Sequence, residues 1–168
     1  MTSDVAGGPG WIIRGADLRP AITDLAAFRD GMAGDPLVTV IELLWTGQAQ
    51  RALDRLQGLP RSPRVRALIA DCRRDLGDHA AAVREYDQLV AECGDTPREA
   101  VMRQHRAKAL LAAGHADRAV EDFRRVVELR RGHDTALLAS AEQGLAVASA
   151  AASRTSPTSA IAGDRGAR

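Results

Sequence analysis

Residues 77–90 read Gly77-Asp-His-Ala-Ala-Ala82-Val-Arg-Glu-Tyr86-Asp-Gln-Leu89-Val90, and residues 114–127 read Gly114-His-Ala-Asp-Arg-Ala119-Val-Glu-Asp-Phe123-Arg-Arg-Val126-Val127. The two stretches align without gaps at an offset of 37 residues (114 − 77). An earlier copy, Gly47-Gln-Ala-Gln-Arg-Ala52-Leu-Asp-Arg-Leu56-Gln-Gly-Leu59, fits the same frame 30 residues upstream (77 − 47). Each copy has a glycine, then an alanine five positions on, then a large apolar residue four beyond that. Self-similarity at such a period is the mark of stacked supersecondary units.

The spacing has a physical reading. Glycine lets the chain reverse between two helices by taking the left-handed conformation. The alanine must be small because the helices touch there, and the large residue one turn on fills the space where they diverge. One hairpin of this kind cannot bury its apolar face alone, so copies stack. Punctuation agrees: Asp35-Pro36, Ser62-Pro63 and Thr96-Pro97 each place a capping side chain before a proline at the first helical position. Thr96 has Glu99 three residues on, the pattern of a capping box. These signals predict three helix–turn–helix pairs over about 36–57, 63–93 and 97–131. An amphipathic helix is expected from Asp17 to about Met32, with Leu18, Ile22, Leu25 and Phe28 on one face. A last helix, capped by Asp134 and running to about Ala152, is expected to turn Leu137, Leu138, Leu145 and Val147 inward and to keep Ser140, Glu142, Gln143 and Ser149 wet.

On these residues the chain resembles the tetratricopeptide repeat (TPR) family. The shared pattern is Gly47, Gly77 and Gly114 at the turns, Ala52, Ala82 and Ala119, the large residues Leu56, Tyr86 and Phe123, and the small residues Ala70 and Ala107 seven positions before a glycine. The likeness covers about 36–131 and is best in the second helices. In the first helices, Pro36, Arg66 and Arg103 stand where the family prefers a large apolar residue. The resemblance implies an all-α fold, an α-solenoid of about three TPR-like antiparallel hairpins with flanking capping helices. A helical bundle built from the same hairpins is the alternative. The domain reading is a flexible N-terminus over 1–16, rich in Gly7, Gly8, Pro9 and Gly10, a TPR-like domain over 17–152, and a disordered Ser/Thr-rich tail over 153–168.

The resemblance also implies a function. In TPR proteins the first helices line a concave groove that binds a peptide. Carried over, that groove would show Leu37, Ile41, Leu44 and Trp45 at an apolar end, Asp71, Arg74 and Asp75 in a charged middle, and Gln104, His105 and Lys108 at a cationic end. Trp45 fits equally well in the core against the N-terminal helix. Family members that clamp a C-terminal carboxylate use a lysine–asparagine cluster, and this chain has no asparagine. The expectation is a non-catalytic adaptor for a protein or peptide partner, a monomer in preference to a homodimer.

Composition narrows the alternatives. Lys+Arg is 23 and Asp+Glu is 22 in 168 residues, giving a net charge of +1. That argues against a dedicated nucleic-acid binder, which carries a basic excess. A nucleic-acid-associated regulatory module remains the second reading, motivated by Arg73-Arg74, Arg124-Arg125 and Arg130-Arg131. A solvated face with i, i+4 pairs such as Glu99–Arg103 and Glu121–Arg125 explains these arginines more simply. Hydrophobic residues at 45% allow a core, while aromatics at 3% exclude a base-stacking platform. Lys108 is the single lysine, a bias that GC-rich bacterial codons produce. No apolar run reaches the ~18 residues of a membrane span. The first residues also lack the pattern of a secretory signal, so a cytoplasmic location is expected.

No catalytic constellation is legible. His79, His105, His115 and His133 are scattered, and the sequence has no His-Glu-x-x-His, nucleophile elbow or phosphate loop. Cys72 and Cys93 could meet as a redox pair or join His79 at a metal, but neither Cys-x-x-Cys nor ligand spacing is present, so buried thiols are expected. No cofactor, metal or catalytic residue is implied.

The repeat frame has a direct test in stability. Ala82→Leu or Ala119→Leu is expected to overpack the closest helix approach and cost ~1–3 kcal/mol. Tyr86→Ala or Phe123→Ala leaves a cavity costing ~3–5 kcal/mol. Denaturant unfolding of the four variants checks this, and four unchanged midpoints would refute the frame.

Overall fold

The computed structural model describes residues 2–155. Eight helices follow three short strands: β1 (Val5–Gly8), β2 (Trp11–Ile13), β3 (Pro20–Ile22), α1 (Leu25–Gly31), α2 (Val38–Trp45), α3 (Ala49–Gln57), α4 (Pro63–Asp75), α5 (His79–Cys93), α6 (Glu99–Ala112), α7 (Ala116–Arg130) and α8 (Thr135–Thr155). From α2 onward each helix packs on its successor, and α4 and α8 also touch α6.

The elements form where local chemistry favours them. Gly47, Gly77 and Gly114 have φ of +81°, +90° and +82°, the left-handed turn that an L side chain resists. Ser62 accepts a hydrogen bond from the Val65 amide, with Pro63 opening α4. Asp134 accepts from the Ala136 and Leu137 amides at the head of α8. Two starts differ from the expectation. Asp35 accepts from the Leu37 amide but α2 begins only at Val38. Glu99 accepts from the Asp95 amide, so the Thr96–Glu99 capping box is not made in its usual form.

The repeat frame is the core. Ala52, Ala70, Ala82, Ala107 and Ala119 are fully buried, as are Tyr86 and Phe123, and Leu56 is nearly so. One cluster joins α4 through α8 around Tyr86, Leu89, Leu110 and Phe123, and a second gathers Phe28, Ile41, Leu44, Leu56 and Ile69.

The N-terminal region departs from the reading made on the sequence. Residues expected to be flexible over 1–16 supply two strands of an antiparallel sheet ordered β1-β2-β3. Glycine explains it: a Cβ on Gly7 would lie 2.1 Å from the Trp11 ring, so the indole lies flat against bare backbone. The helix expected from Asp17 shrinks to Leu25–Gly31. Pro20 cannot continue a helix and forms a strand instead. Asp17 accepts from the Arg19 amide and tightens the preceding turn, while Asp24 caps α1 through the Ala27 amide. Leu18 takes φ +59° in that turn and is 2% exposed, whereas Leu25 faces outward.

At the other end α8 extends through residues 153–155, which were expected to belong to the disordered tail; the rest of that expectation, 156–168, lies outside the described residues. The face of α8 that packs inward is Ser140, Ala141, Gln143, Gly144 and Ala148, while Leu137 is 48% exposed. Ser140 and Gln143, expected to be wet, are buried because each has a polar partner: Gln104 for Ser140, and the Ser3 and Ile13 carbonyls for Gln143.

Gly144 sits against Phe123: a Cβ there would lie 2.2 Å from the ring. Gly144→Ala should gain ~1 kcal/mol of helix propensity and lose more, about 1–3 kcal/mol, to overpacking against a buried ring. The expected net result is a lower melting temperature, and a higher one would show that α8 does not sit tightly on Phe123.

Candidate functional site

The first helices of the hairpins, α2, α4 and α6, carry the residues expected to line a groove. The structure brings most of them together. Leu44, Trp45, Asp71, Arg74, Asp75, His105 and Lys108 surround one cavity of about 320 Å³, joined by Arg14, Arg19, Pro20 and Ala21 from the N-terminal segment. Leu37 and Ile41 do not reach it; they are buried in the second core cluster with Phe28. Gln104 is also buried, donating to Ser140 Oγ at 2.7 Å and accepting from Arg130. Trp45 is both core and lining: its ring lies 4.5 Å from Trp11 and 5.6 Å from Phe28, and one face borders the cavity.

At the centre is a buried carboxylate. Asp71 Oδ1 accepts from Arg74 at 2.9 Å and lies 2.9 Å from the Tyr86 hydroxyl, which is also 2.9 Å from the Ala67 carbonyl. Asp71 Oδ2 lies 3.0 Å from His105 Nδ1. Arg74 turns its Nε to Asp75 at 3.0 Å, and Asp75 also pairs with Arg19 at 3.3 Å. Burial works against the Asp71 charge, but Arg74, His105 and Tyr86 overcome it and hold the carboxyl well below the usual range. Tyr86 is pushed the other way, by burial first and then by Asp71.

The N-terminal segment covers the expected groove. Leu18 enters the core cluster that contains Ala70, Ala107, Leu110 and Ala148. Arg19 bonds to α4 through Asp75, and Gln143 on α8 holds the Ser3 and Ile13 carbonyls. A flexible N-terminus had left this face open in the sequence reading. Instead the chain supplies its own covering, and further openings remain beside it, two of them bordered by Lys108. One, of about 180 Å³, is lined by Trp11, Ile13, Trp45, Val101, His105, Lys108 and Leu137 among others. The other, of about 410 Å³, runs between Ala16–Arg19 and Lys108, Leu111, Val147 and Ala151.

Arg14, Arg19, Trp11 and Gln143 were not foreseen as part of the site. A weak signal existed: Trp11-Ile12-Ile13 is a short apolar run after Gly-Pro-Gly, which reads as a turn leading into a strand. Of the six arginines at 73, 74, 124, 125, 130 and 131, Arg74 and Arg130 are buried, and Arg125 pairs with Glu99 and Glu128 in place of Glu121. Arg103 pairs with Glu99 at 2.7 Å as expected, and it joins Arg106 on the buried Asp122. Cys72 and Cys93 are free and buried; burial, helped by Asp71 and Asp75, pushes the Cys72 thiol up to about 12. Among the described residues no group of three or more His, Cys, Asp or Glu side chains could hold a metal ion, and no helix is long and apolar enough to cross a membrane.

Comparison with known proteins adds one likeness. The chain is 36% identical over 107 residues to the Vi polysaccharide export protein VexE of Salmonella typhi, a stretch that covers 61% of this chain and 15% of that protein. The chain thus corresponds to a small part of the relative's length. No family model and no solved structure matches.

Asp71→Asn is expected to cost about 3–5 kcal/mol at neutral pH, because it leaves Arg74 partly uncompensated in a buried place. The Asp71 carboxyl titrates lower in the folded than in the unfolded chain. Its contribution is therefore complete above the unfolded value of about 4 and is lost as the pH falls below it. Denaturant unfolding between pH 7 and pH 3 should show the gap between the native protein and Asp71→Asn narrowing with acid. A gap that widens would contradict the assignment.

Proposed function

We propose that this chain is a non-catalytic interaction module, a TPR-like array of helical hairpins that binds a partner protein. The observation that carries the reading is the glycine–alanine–large-residue frame: it recurs three times, its glycines are left-handed, and its alanines and large residues are buried. That is the packing of stacked hairpins, whose usual work is to present an extended surface. The partner surface is the opening where the N-terminal sheet meets α6 and α8. There Val101 is 42% and Leu137 48% exposed, both bordering Trp11 and Trp45. A partner segment with a large apolar side chain fits this notch. The peptide groove over Asp71 and Arg74 is not the docking surface in this reading, because residues 14–22 already lie on it.

The likeness to a stretch of a polysaccharide export protein supports a setting in which such a module serves surface-polysaccharide export, and a cytoplasmic face of that machinery is the compartment we propose. The nucleic-acid reading has less support, since Arg74 and Arg130 face inward.

The test uses the full chain as bait in lysate of its native host, beside the double variant Val101→Glu/Leu137→Glu. Both substitutions are at exposed positions and should leave the melting temperature within about 0.5 kcal/mol-equivalent of the native value. Proteins recovered by the native chain and absent from the variant, including an export component, are the expected result. Identical recovery by both chains would remove the notch from the interface, and no recovery at any salt would remove the adaptor reading.

A further inference from the structure

Lys108 lies where three cavities meet: the 320 Å³ cavity over Asp71, the 410 Å³ opening toward α8 and the 180 Å³ notch beside the sheet. Among the described residues no hydrogen bond or ion pair holds its ammonium. The neighbouring carboxylates are all committed to other side chains. Asp71 is taken by Arg74, Tyr86 and His105, Asp75 by Arg74 and Arg19, and Asp17 by Arg14. Two cations lining these cavities are left without a carboxylate: Arg130, which bonds to Gln104 and the Leu137 carbonyl, and Lys108, which has no partner. A partly buried ammonium without a counter-charge is costly unless something in the cavity compensates it. The local field agrees: burial and then Arg74 push Lys108 down to about 8, and Asp71 and Asp17 offset this only in part.

We propose that the junction around Lys108 is a binding site for a small organic monocarboxylate, with the carboxylate on the Lys108 ammonium and an apolar body against Trp45 and Pro20. Those two residues border both the 320 Å³ and the 180 Å³ cavities, so an apolar group of modest size beside Lys108 meets them from either. Arg130 is held by Gln104 and the Leu137 carbonyl, so Lys108 alone offers an unbonded ammonium to the junction, and one ammonium matches one carboxylate. A phosphate dianion would bring a second negative charge toward Asp71 and Asp75, whose lone pairs already face the cationic side chains. The same chemistry could come from a free acid or from an acidic side chain of a docked protein. This site goes beyond the adaptor reading and stands independently of it, because a titration with a small acid needs no partner and the adaptor test leaves Lys108 intact.

The experiment titrates the full chain, by calorimetry or by amide chemical shifts, with benzoate, with its neutral isostere benzamide, with inorganic phosphate, and with acetyl-Leu-Glu-Leu-amide, whose one carboxylate is on a side chain. Benzoate or the tripeptide should saturate the site, with benzamide at least about tenfold weaker, as loss of a charge-assisted contact predicts. Lys108→Met should lower the affinity about tenfold or more while the protein remains folded by circular dichroism, and Lys108→Arg should restore most of it. Tighter binding of benzoate identifies a free acid as the source, and tighter binding of the tripeptide identifies a partner's side chain; both uphold the site. Saturation that survives Lys108→Met, benzamide binding as well as benzoate, phosphate binding better than either acid, or no saturation by any acid would overturn it.

Discussion

Asp71 is a buried charge shared by three helices. It stands on α4, takes the hydroxyl of Tyr86 from α5, lies beside the imidazole of His105 from α6, and neutralises Arg74 one turn along its own helix. A carboxylate in that place has no water to fall back on, so three helices must present their donors at once. The geometry of each is then constrained. Tyr86 must fill the divergence between α4 and α5 and also point its hydroxyl at α4. His105 must lie near the Tyr86 ring, and their centroids are 5.9 Å apart at 25°. Fit of apolar shape alone tolerates some sliding between helices, but a shared buried charge does not.

The same device recurs between other neighbouring helices. Asp122 on α7 is buried and receives both Arg103 and Arg106 from α6, while Arg66 on α4 reaches Glu85 and Glu92 on α5. Arg66 and Arg103 stand at positions where the resemblance to TPR first helices implies a large apolar residue. Their long aliphatic stems cover apolar surface while the guanidinium finds a carboxylate on the neighbouring helix. Charge pairing thus joins neighbouring helices at positions where an apolar contact would otherwise be needed.

The N-terminal segment is bound to this framework by a mixture of the same forces. Leu18 fills an apolar site, Arg19 answers Asp75, and two backbone carbonyls are satisfied by Gln143 from the far end of the chain. The N-terminal segment thus links α4 with α8 and borders a set of smaller cavities, three of them lined by Lys108. Of the cationic side chains that line the cavity over Asp71, Arg14, Arg19 and Arg74 are partnered by aspartates, and Lys108 is not.

The helical part of this chain was legible from its residues because its determinants are local and periodic. Left-handed glycines, small residues at close contacts and proline–cap pairs act within one hairpin, so Gly77, Ala82 and Tyr86 declare their roles without reference to anything distant. The half of the site on α4 and α6, Asp71, Arg74, His105 and Lys108, was named from the resemblance to TPR first helices, and the structure brings those four side chains to one cavity. The N-terminal sheet was not. Its strands are 3 or 4 residues long, too short for alternation to register, and their stability comes from partners as far away as Gln143. Nor did spacing reveal that Ser140 and Gln143 would be buried, because a polar side chain goes inside only when a specific partner awaits it there. Sequence by itself determined the hairpins, their turns and their tight contacts. Which face of α8 is inward, what covers the first helices and that Lys108 is left without a partner were decided by tertiary structure, since each depends on groups that meet only after the chain has closed on itself.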